Sequence, residues 1–211
     1  MAAHLPALVA LGDKAPTLKA VYSRSETNAR DLAATAATSL TLSAPPTIYH
    51  DDSKTDDLDA LLARSDIKSV IVVLPIAIQP GIILKALEAG KHVISEKPVA
   101  ADVEQGLRLI QEYNSKYKPK GLIWRVAENF EAEPGYRAAG AAIAAGKIGK
   151  IVFFKAVGVN YIDQETKWYK TPWRTVPDVR QRSLSTCEPL LKIKLVSRWF
   201  PSKLGELYLD G

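Results

Sequence analysis

The sequence predicts an α/β protein with a doubly wound parallel sheet, and three observations support that class. Helical patterns alternate with short strand patterns as far as about residue 149, as they do when a helix connects each pair of parallel strands. Residues 70–74 form an unbroken apolar run, which is typical of a parallel strand covered on both faces. Gly90 and Gly146 follow helical patterns and are suited to end them, because glycine readily takes the left-handed conformation.

The individual elements are predicted from their spacing and their end signals. Apolar residues at helical spacing predict the helices, and Ser25 and Asp102 are each suited to an N-cap position. Helices are predicted over residues 4–11, 58–62, 80–90 and 136–145, and after Ser25 and Asp102. Strands are predicted over residues 18–22, 48–49, 70–74, 93–94 and 121–124.

Three of the predicted helices have an apolar face that is easily recognised from helical periodicity. These faces consist of Ala29, Leu32, Ala33 and Ala36 after Ser25, of Ile82, Ile83, Ala86 and Leu87 before Gly90, and of Val103, Leu107 and Ile110 after Asp102. We expect the first two to be turned towards the core.

The composition is that of an ordinary globular protein, with 47% hydrophobic and 24% charged residues. No apolar run approaches the ~20 residues of a membrane span, and no secretion signal is recognisable at the N-terminus. Cys187 is the only cysteine, so the chain forms no intrachain disulfide and a cytoplasmic location is predicted. The net charge is +5. Residues 180–211 contain six basic and three acidic residues and so contribute +3 of that charge. Because the remainder is nearly neutral, we predict neither nucleic acid nor membrane as a partner.

Glu96 and Lys97 stand at the carboxyl end of the predicted strand over residues 93–94, and Pro98 follows at once. In parallel α/β sheets, ligands bind at the carboxyl ends of the strands. A lysine held there by a following proline is therefore a candidate for work on a bound cofactor. Taken alone, a solvated lysine beside a turn proline is the better interpretation.

Three segments together resemble the glucose–fructose oxidoreductase, inositol dehydrogenase and MocA (Gfo/Idh/MocA) family of nicotinamide-dependent enzymes. They are Glu96-Lys97-Pro98, the string VAENF at residues 126–130 and the string TPWR at residues 171–174, in the family's order. The resemblance covers roughly residues 4–178. It implies a Rossmann-like fold, a bound NADP or NAD, and hydride transfer between the nicotinamide and a small-molecule sugar, polyol or related carbonyl compound.

The resemblance also implies roles for individual residues. Lys97 would be the catalytic residue, beside the nicotinamide ribose and the reacting oxygen, where an ammonium stabilises developing alkoxide or shares in proton transfer. Glu96 would hold ribose hydroxyls. The other implied cofactor contacts are Leu74 and Pro75 in the nicotinamide pocket, Asn129 from the next strand end, and Trp173 and Arg174 closing over the cofactor. A cap, a turn and a core residue remain the alternatives for Glu96, Asn129 and Trp173, respectively.

The choice of cofactor depends on Ser23 and Arg24, at the end of the second strand of such a fold. An acid at this corner would bind the ribose 2′-hydroxyl of NAD, whereas an arginine accommodates the 2′-phosphate of NADP. The corner itself holds no acid, and Glu26 follows only after Ser25. We therefore predict NADP, with NAD as the alternative.

The expected first strand and its glycine-rich turn have no counterpart in this sequence. A Rossmann-like fold begins with a strand, a Gly-x-Gly-x-x-Gly turn and a helix that holds the pyrophosphate. Here Met1 is followed at once by what resembles the middle of that helix, and the glycine pattern occurs nowhere. We predict a sheet that lacks its first, central strand and must close the gap, recruit another chain or stay loose.

Three regions are predicted along the chain. Residues 1–149 form an incomplete dinucleotide-binding domain, and residues 150–178 begin an α+β substrate domain through which the complete protein would form a homo-oligomer. Residues 179–211 match nothing expected after the string TPWR, although Asp210-Gly211 resembles the start of the family's Asp-Gly-Gly-x-His string. We interpret the chain as truncated at both ends, with residues 179 to about 202 as translated non-coding sequence.

Two classes of function remain open from the sequence. The first is an oxidoreductase of the Gfo/Idh/MocA type, impaired in this chain, and the second is a non-catalytic nucleotide-binding or regulatory protein derived from that fold. Glu96-Lys97-Pro98 and the string TPWR favour the first, whereas the lack of the glycine turn and of the Asp-Gly-Gly-x-His histidine favours the second. A third possibility is that this chain forms nothing stable, so whether it folds and is active stays open. His4, His50 and His92 are scattered without ligand spacing, so no metal site is predicted.

Overall fold

A computed structural model of the chain describes residues 4–153 together with Asp163 and Glu165. Its helices are α1 (His4–Leu11), α2 (Glu26–Ser39), α3 (Leu58–Ala63), α4 (Gln79–Glu88), α5 (Val103–Glu112) and α6 (Pro134–Ala144). Its strands are β1 (Ala20–Ser23), β2 (Thr47–His50), β3 (Ser69–Val72), β4 (His92–Ser95) and β5 (Trp124–Val126). Helices and parallel strands alternate, so the predicted α/β class is confirmed.

The five strands form two parallel sheets. One has the order β1–β2 and the other the order β3–β4–β5. In the described part of the chain, β1 pairs only with β2 and β3 pairs only with β4. The division falls between β1 and β3, where the predicted sheet lacks its first strand. The described residues thus neither close the gap with a ladder nor fill it with another strand.

Most of the helices begin and end where their capping residues predict. The Ser25 hydroxyl accepts from the Asn28 N–H at 3.3 Å and starts α2, and the Asp102 carboxylate accepts from the Gln105 N–H at 2.7 Å and starts α5. Gly90, with φ of +74°, follows α4 in the left-handed conformation. These ends form as predicted because each involves residues no more than a few positions apart.

One hydrophobic core connects the two sheets. Ile83 and Leu87 of α4 are almost fully buried, and Val93 of β4 packs in the same cluster. Leu61 of α3 and Tyr49 of β2 belong to that cluster as well. The two sheets therefore share buried side chains although they share no ladder.

Several predicted strands differ in the structure. The prediction that residues 70–74 are covered on both faces is wrong, because Val70 and Ile71 are only partly buried and Val73 is 38% exposed. In β4, Val93 is buried but Ile94 is 42% exposed. The last strand begins at Trp124, whereas the prediction ended it there. Apolar runs alone do not show which faces have a partner layer, and this explains the error.

The apolar face of α5 points away from the core. Val103 and Leu107 are 79% and 62% exposed, and Ile110 is also exposed. The helix is anchored instead through Gly106 and Leu109, which are buried. Helical periodicity correctly groups the three apolar residues, but it does not establish which face is buried.

The chain divides into two compact units, Met1–Glu128 and Asn129–Gly211. In the second unit, Phe130 and Tyr136 meet edge to face with ring centroids 6.1 Å apart. Gly146 follows α6 with φ of +68°, as predicted. Most of the β-rich run predicted from residue 150 lies outside the described residues, and the domain boundary near Gly149 stays a prediction. Over the described ranges, no helix has the length and apolar character needed to cross a membrane.

Candidate functional site

The carboxyl ends of β3 and β4 lie side by side. The two strands pair in parallel, and the Glu96 N–H continues their ladder by donating to the Val72 carbonyl at 3.0 Å. Glu96 and Lys97 follow β4 directly, while Leu74 and Pro75 follow β3. The fold thus brings these four predicted site residues to one end of the sheet, the end at which parallel sheets bind ligands.

Both carboxylate oxygens of Glu96 are engaged. The Oε1 atom lies 2.8 Å from the His4 Nε2 atom, and the Oε2 atom accepts from the Lys97 N–H at 3.2 Å. The side chains of His4 and Glu96 are only 14% and 28% exposed. Since His4 is the first residue of α1, this contact brings the start of that helix to the end of β4. Sequence reasoning missed the contact and gave His4 no role.

Lys97 differs from Glu96 in that its side chain is exposed. Within residues 4–153, no hydrogen bond or ion pair of its ammonium is recorded. The peptide bond that joins it to Pro98 is cis. Lys97 therefore combines a backbone N–H bonded to Glu96 with an exposed side chain at the end of the sheet.

Gln79 is a further polar residue at this site, and sequence reasoning missed it. It is the first residue of α4 and only 1% exposed. Its Nε2 atom donates to the Glu96 carbonyl at 2.7 Å and to the Pro98 carbonyl at 2.9 Å. The one available signal is that Gln79 is the sole polar residue among the ten residues 75–84.

The predicted corner for the cofactor's 2′ substituent lies at the end of β1. Ser23 is partly buried and the Arg24 side chain is exposed. The chain after β2 returns to this corner, because the Asp51 N–H donates to the Arg24 carbonyl at 3.3 Å. The prediction found no acid within the corner's own sequence, but the fold places Asp51 beside it. One Asp51 oxygen accepts from the Tyr22 hydroxyl at 2.6 Å, and partial burial, reinforced by that bond, raises the pKa of Tyr22.

The remaining predicted cofactor contacts are Asn129, Trp173 and Arg174. Asn129 belongs to the second compact unit, where its carbonyl accepts from the Ala132 N–H at 3.0 Å in a short 3₁₀ turn. Trp173 and Arg174 lie outside the described residues. Their roles stay predictions.

The three histidines have separate surroundings. His4 contacts Glu96, the His50 Nδ1 atom lies 3.9 Å from an oxygen of Asp52, and the His92 Nδ1 atom accepts from a backbone N–H at 3.0 Å. In residues 4–153, Asp163 and Glu165, no group of three or more His, Cys, Asp and Glu side chains has the arrangement of a metal site.

Comparison with known proteins agrees with this geometry. Residues 1–119 match the family model described as an oxidoreductase family with an NAD-binding Rossmann fold, Gfo/Idh/MocA. Dehydrogenase FPY6 from Fusarium mangiferae is 42% identical over 178 residues, which cover 83% of this chain and 48% of that protein.

Two solved structures extend the comparison. An oxidoreductase from Thermotoga maritima is 30% identical, with a TM-score of 0.64 over 82% of this chain and 48% of that one. KijD10, a 3-ketoreductase from Actinomadura kijaniata in complex with NADP and TDP-benzene, is 27% identical, with a TM-score of 0.52 over 67% of this chain and 38% of that one. The chain spans about half the length, or less, of the curated relatives it matches. Taken with the two strand ends described above, these matches show that the chain belongs to the Gfo/Idh/MocA oxidoreductase family and carries its NAD-binding Rossmann fold.

Proposed function

We propose that this chain is part of an NAD(P)-dependent oxidoreductase that transfers a hydride between nicotinamide and a sugar, polyol or related carbonyl compound. The observation that carries the proposal is the position of Glu96 and Lys97 at the joint carboxyl end of β3 and β4. These residues also lie inside the segment that matches the family model. An acid and a lysine at that end of a parallel sheet suit a ligand with both hydroxyl groups and developing negative charge.

The chemistry of Glu96 and Lys97 fits the ribose and nicotinamide end of such a cofactor. Each Glu96 oxygen accepts one contact in the structure and retains a further lone pair for a ribose hydroxyl. The cofactor, when bound, supplies the hydride acceptor or donor. The Gly-x-Gly-x-x-Gly turn does not occur in the sequence, so no residue of this chain is assigned to the pyrophosphate.

Lys97 has the main chemical role in the proposal. Its side chain is exposed and can lie against the substrate oxygen, which gains negative charge when a hydride is delivered to a carbonyl carbon. In the reverse direction, that oxygen gives up its proton as the hydride leaves the carbinol carbon. A cation there stabilises the alkoxide and shares the proton that the oxygen gains or loses. Lys97→Met keeps much of the side chain but removes the charge, so turnover should fall by about 10²–10⁴-fold while NADPH binding persists.

The cofactor preferred in this proposal is NADP. Arg24 is exposed at the end of β1, and Asp51 beside it already accepts a bond from Tyr22. KijD10 is solved with NADP and a scyllo-inositol dehydrogenase from Lactobacillus casei with NAD(H), so the preference rests on Arg24. Arg24→Ala should weaken NADP binding about tenfold or more while leaving NAD binding nearly unchanged, because only NADP has the 2′-phosphate. Arg30→Ala, on the exposed side of α2, is the matched control, and equal losses for the two cofactors would contradict the preference.

The other site roles and the setting belong to the same proposal. As the family resemblance implies, Leu74 and Pro75 line the nicotinamide pocket, Asn129 contacts the cofactor, and Trp173 with Arg174 covers it. The substrate is a small molecule, neither nucleic acid nor membrane is a partner, and the protein acts in the cytoplasm. The substrate domain begins near residue 150 and forms the contacts of a homo-oligomer.

Binding of NADPH tests the proposal directly. Trp124 pairs with Val93 of β4 and its Nε1 atom donates to the Ser95 hydroxyl at 3.0 Å, so its emission reports on the strand end that precedes Glu96. Titration of the 211-residue chain with NADPH should give saturable energy transfer that Trp124→Phe reduces. Turnover is then measured with a panel of sugars and polyols.

The outcomes separate the two classes of function. Saturable binding with turnover supports the oxidoreductase. Saturable binding without turnover favours the second candidate, a non-catalytic nucleotide-binding protein. No binding of either NADPH or NADH would contradict both.

A further inference from the structure

Gln79 bonds to the backbone on both sides of Lys97. Its Nε2 atom donates to the carbonyl of the residue before Lys97, Glu96, and to the carbonyl of the residue after it, Pro98, at 2.7 and 2.9 Å. Both acceptors are carbonyl oxygens, which cannot donate, so the amide nitrogen must face them. The orientation of the Gln79 amide is therefore determined by its partners.

The helix that carries Gln79 does not explain why the residue is a glutamine. Gln79 begins α4, but its backbone N–H already donates to the Pro75 carbonyl at 3.2 Å, and its side chain bonds only the segment after β4 in the described part of the chain. Its Oε1 atom is buried and has no hydrogen-bond partner in the described structure. A buried acceptor without a partner is unfavourable, and an apolar residue of similar size would avoid that loss. The two donated bonds are what the glutamine adds.

Glu96 and Lys97 are restrained from several directions as a result. Glu96 is bonded through its N–H to β3, through its carbonyl to Gln79 and through its carboxylate to His4. The Lys97 N–H donates to the Glu96 carboxylate. The backbone at Lys97 is thus held in place, whereas the residue itself is exposed. This arrangement sets the point and direction from which a flexible lysine side chain leaves the sheet.

We propose that Gln79 is a positioning residue, which directs Lys97 towards the nicotinamide end of the bound cofactor by holding the carbonyls of Glu96 and Pro98. The inference rests on the proposed function for the identity of the ligand. The restraint of the backbone from Glu96 to Pro98 does not depend on the proposed function, because it can be measured without a cofactor.

Hydrogen exchange tests that restraint in the cofactor-free 211-residue chain. Gln79→Met keeps the length of the side chain and removes both donors, and amides of residues 96–101 should then exchange about tenfold faster. Gln111→Met is the matched control, because Gln111 is exposed on α5. Gln79→Leu also lacks donors and gives the same measurement if the methionine variant fails to fold. Exchange within about twofold of the Gln111→Met variant would overturn the restraint.

Comparison of two ligands separates positioning from general damage. NADP⁺ reaches the nicotinamide end, whereas adenosine 2′,5′-bisphosphate ends before it. Gln79→Met should weaken NADP⁺ binding about tenfold, because the Glu96 carboxylate shifts with its backbone by about 1 Å away from the nicotinamide-ribose hydroxyls that it is proposed to hold. Binding of the bisphosphate, which lacks that ribose, should stay unchanged. Equal weakening of both ligands would overturn the positioning role.

Failure of the proposed function gives a different result. Suppose that the wild-type chain binds neither ligand, while Gln79→Met still accelerates exchange. The cofactor assignment and the positioning role are then both wrong, but the backbone restraint is supported. If the wild-type chain binds NADP⁺ and Gln79→Met binds it equally well, the function stands and the positioning role is wrong.

Discussion

The two parallel sheets of the first compact unit use different means to hold the residues at their carboxyl ends. After β4, Glu96 is bonded by its N–H, its carbonyl and its carboxylate. After β1, the recorded backbone bond at Arg24 is the one from Asp51 in the chain after β2. The three-stranded sheet thus provides a restrained platform for the proposed chemistry. The two-stranded sheet provides a more open corner for the proposed 2′-phosphate.

A shared core and a few polar contacts connect the two sheets in place of a ladder. Tyr49 of β2 lies in the same core cluster as Leu87, and the Arg64 guanidinium donates to the Tyr49 hydroxyl at 3.3 Å. At the amino ends, the Lys19 ammonium donates to Asp66 at 3.2 Å across the division. Buried packing is worth more than exposed ion pairs. We therefore expect the shared core to couple the sheets and the ion pairs to contribute little.

Leu87→Ala should have the largest effect on stability. Leu87 is 1% exposed, and truncation of a buried leucine lowers the free energy of unfolding by about 3 kcal/mol. Since the core is shared, hydrogen exchange should accelerate in β1 and β2 as well as in β3 and β4. Ile94→Ala, at a position 42% exposed, is the control and should cost less than about 1 kcal/mol. Continued protection of β1 and β2 in the Leu87 variant would show that the sheets are independent.

Ser95→Ala tests the restraint within the three-stranded sheet. The fully buried Ser95 hydroxyl accepts from the Trp124 indole at 3.0 Å, and loss of that acceptor should lower the free energy of unfolding by about 1–2 kcal/mol. Chemical denaturation followed by tryptophan emission measures the change. Ser69→Ala, at the exposed start of β3, is the control. If both serine variants lose the same stability, the buried bond contributes nothing specific.

Tyr22→Phe tests the corner of the two-stranded sheet through alkaline pH. Partial burial and, to a smaller extent, the hydrogen bond to Asp51 raise the pKa of Tyr22 in the folded chain. Stabilisation from a raised tyrosine pKa is complete below the unfolded value of about 10 and is lost as the pH rises through the folded value. The phenylalanine variant should lose about 0.5 kcal/mol at neutral pH and should show a smaller loss of stability above about pH 10.

Thermal unfolding between neutral and alkaline pH measures this difference. Tyr136→Phe, at a position 60% exposed on α6, is the control for a tyrosine outside the corner. An alkaline loss in Tyr22→Phe as steep as that of the wild-type chain would show that Tyr22 does not account for it.

Asp66→Asn should have the smallest effect, and it tests the ion pairs across the division. Hydrogen bonds from Arg64 and, to a smaller extent, from Lys19 lower the pKa of Asp66. A lowered folded pKa gives stabilisation that is complete above the unfolded value of about 4 and is lost as the pH falls through the folded value. The asparagine variant should be slightly less stable than the wild-type chain at neutral pH, and it should lose less stability on acidification by the same small amount. Asp31→Asn on the exposed side of α2 is the control, and an unchanged acid response in Asp66→Asn would exclude the pair as its source.

Much of the fold could be predicted because its signals are local. Ser25 and Asp102 start helices through bonds to residues three positions ahead, and Gly90 ends one through its own backbone angle. The candidate site was predicted in part, because the segment Glu96-Lys97-Pro98 carries a family resemblance. Gln79 was not predicted, since its partners Glu96 and Pro98 lie 17 and 19 positions away.

The sequence by itself determined the alternation of helices and strands, the helix ends and the family, because each depends on residues close together or on a contiguous string. Only the tertiary structure decided which face of α5 is exposed, that the two sheets share no ladder, and that His4 meets Glu96 across 92 positions of sequence. Those outcomes depend on which surfaces have a partner in space. Periodicity reports the presence of an apolar or polar face, whereas the packing of distant segments determines what that face meets.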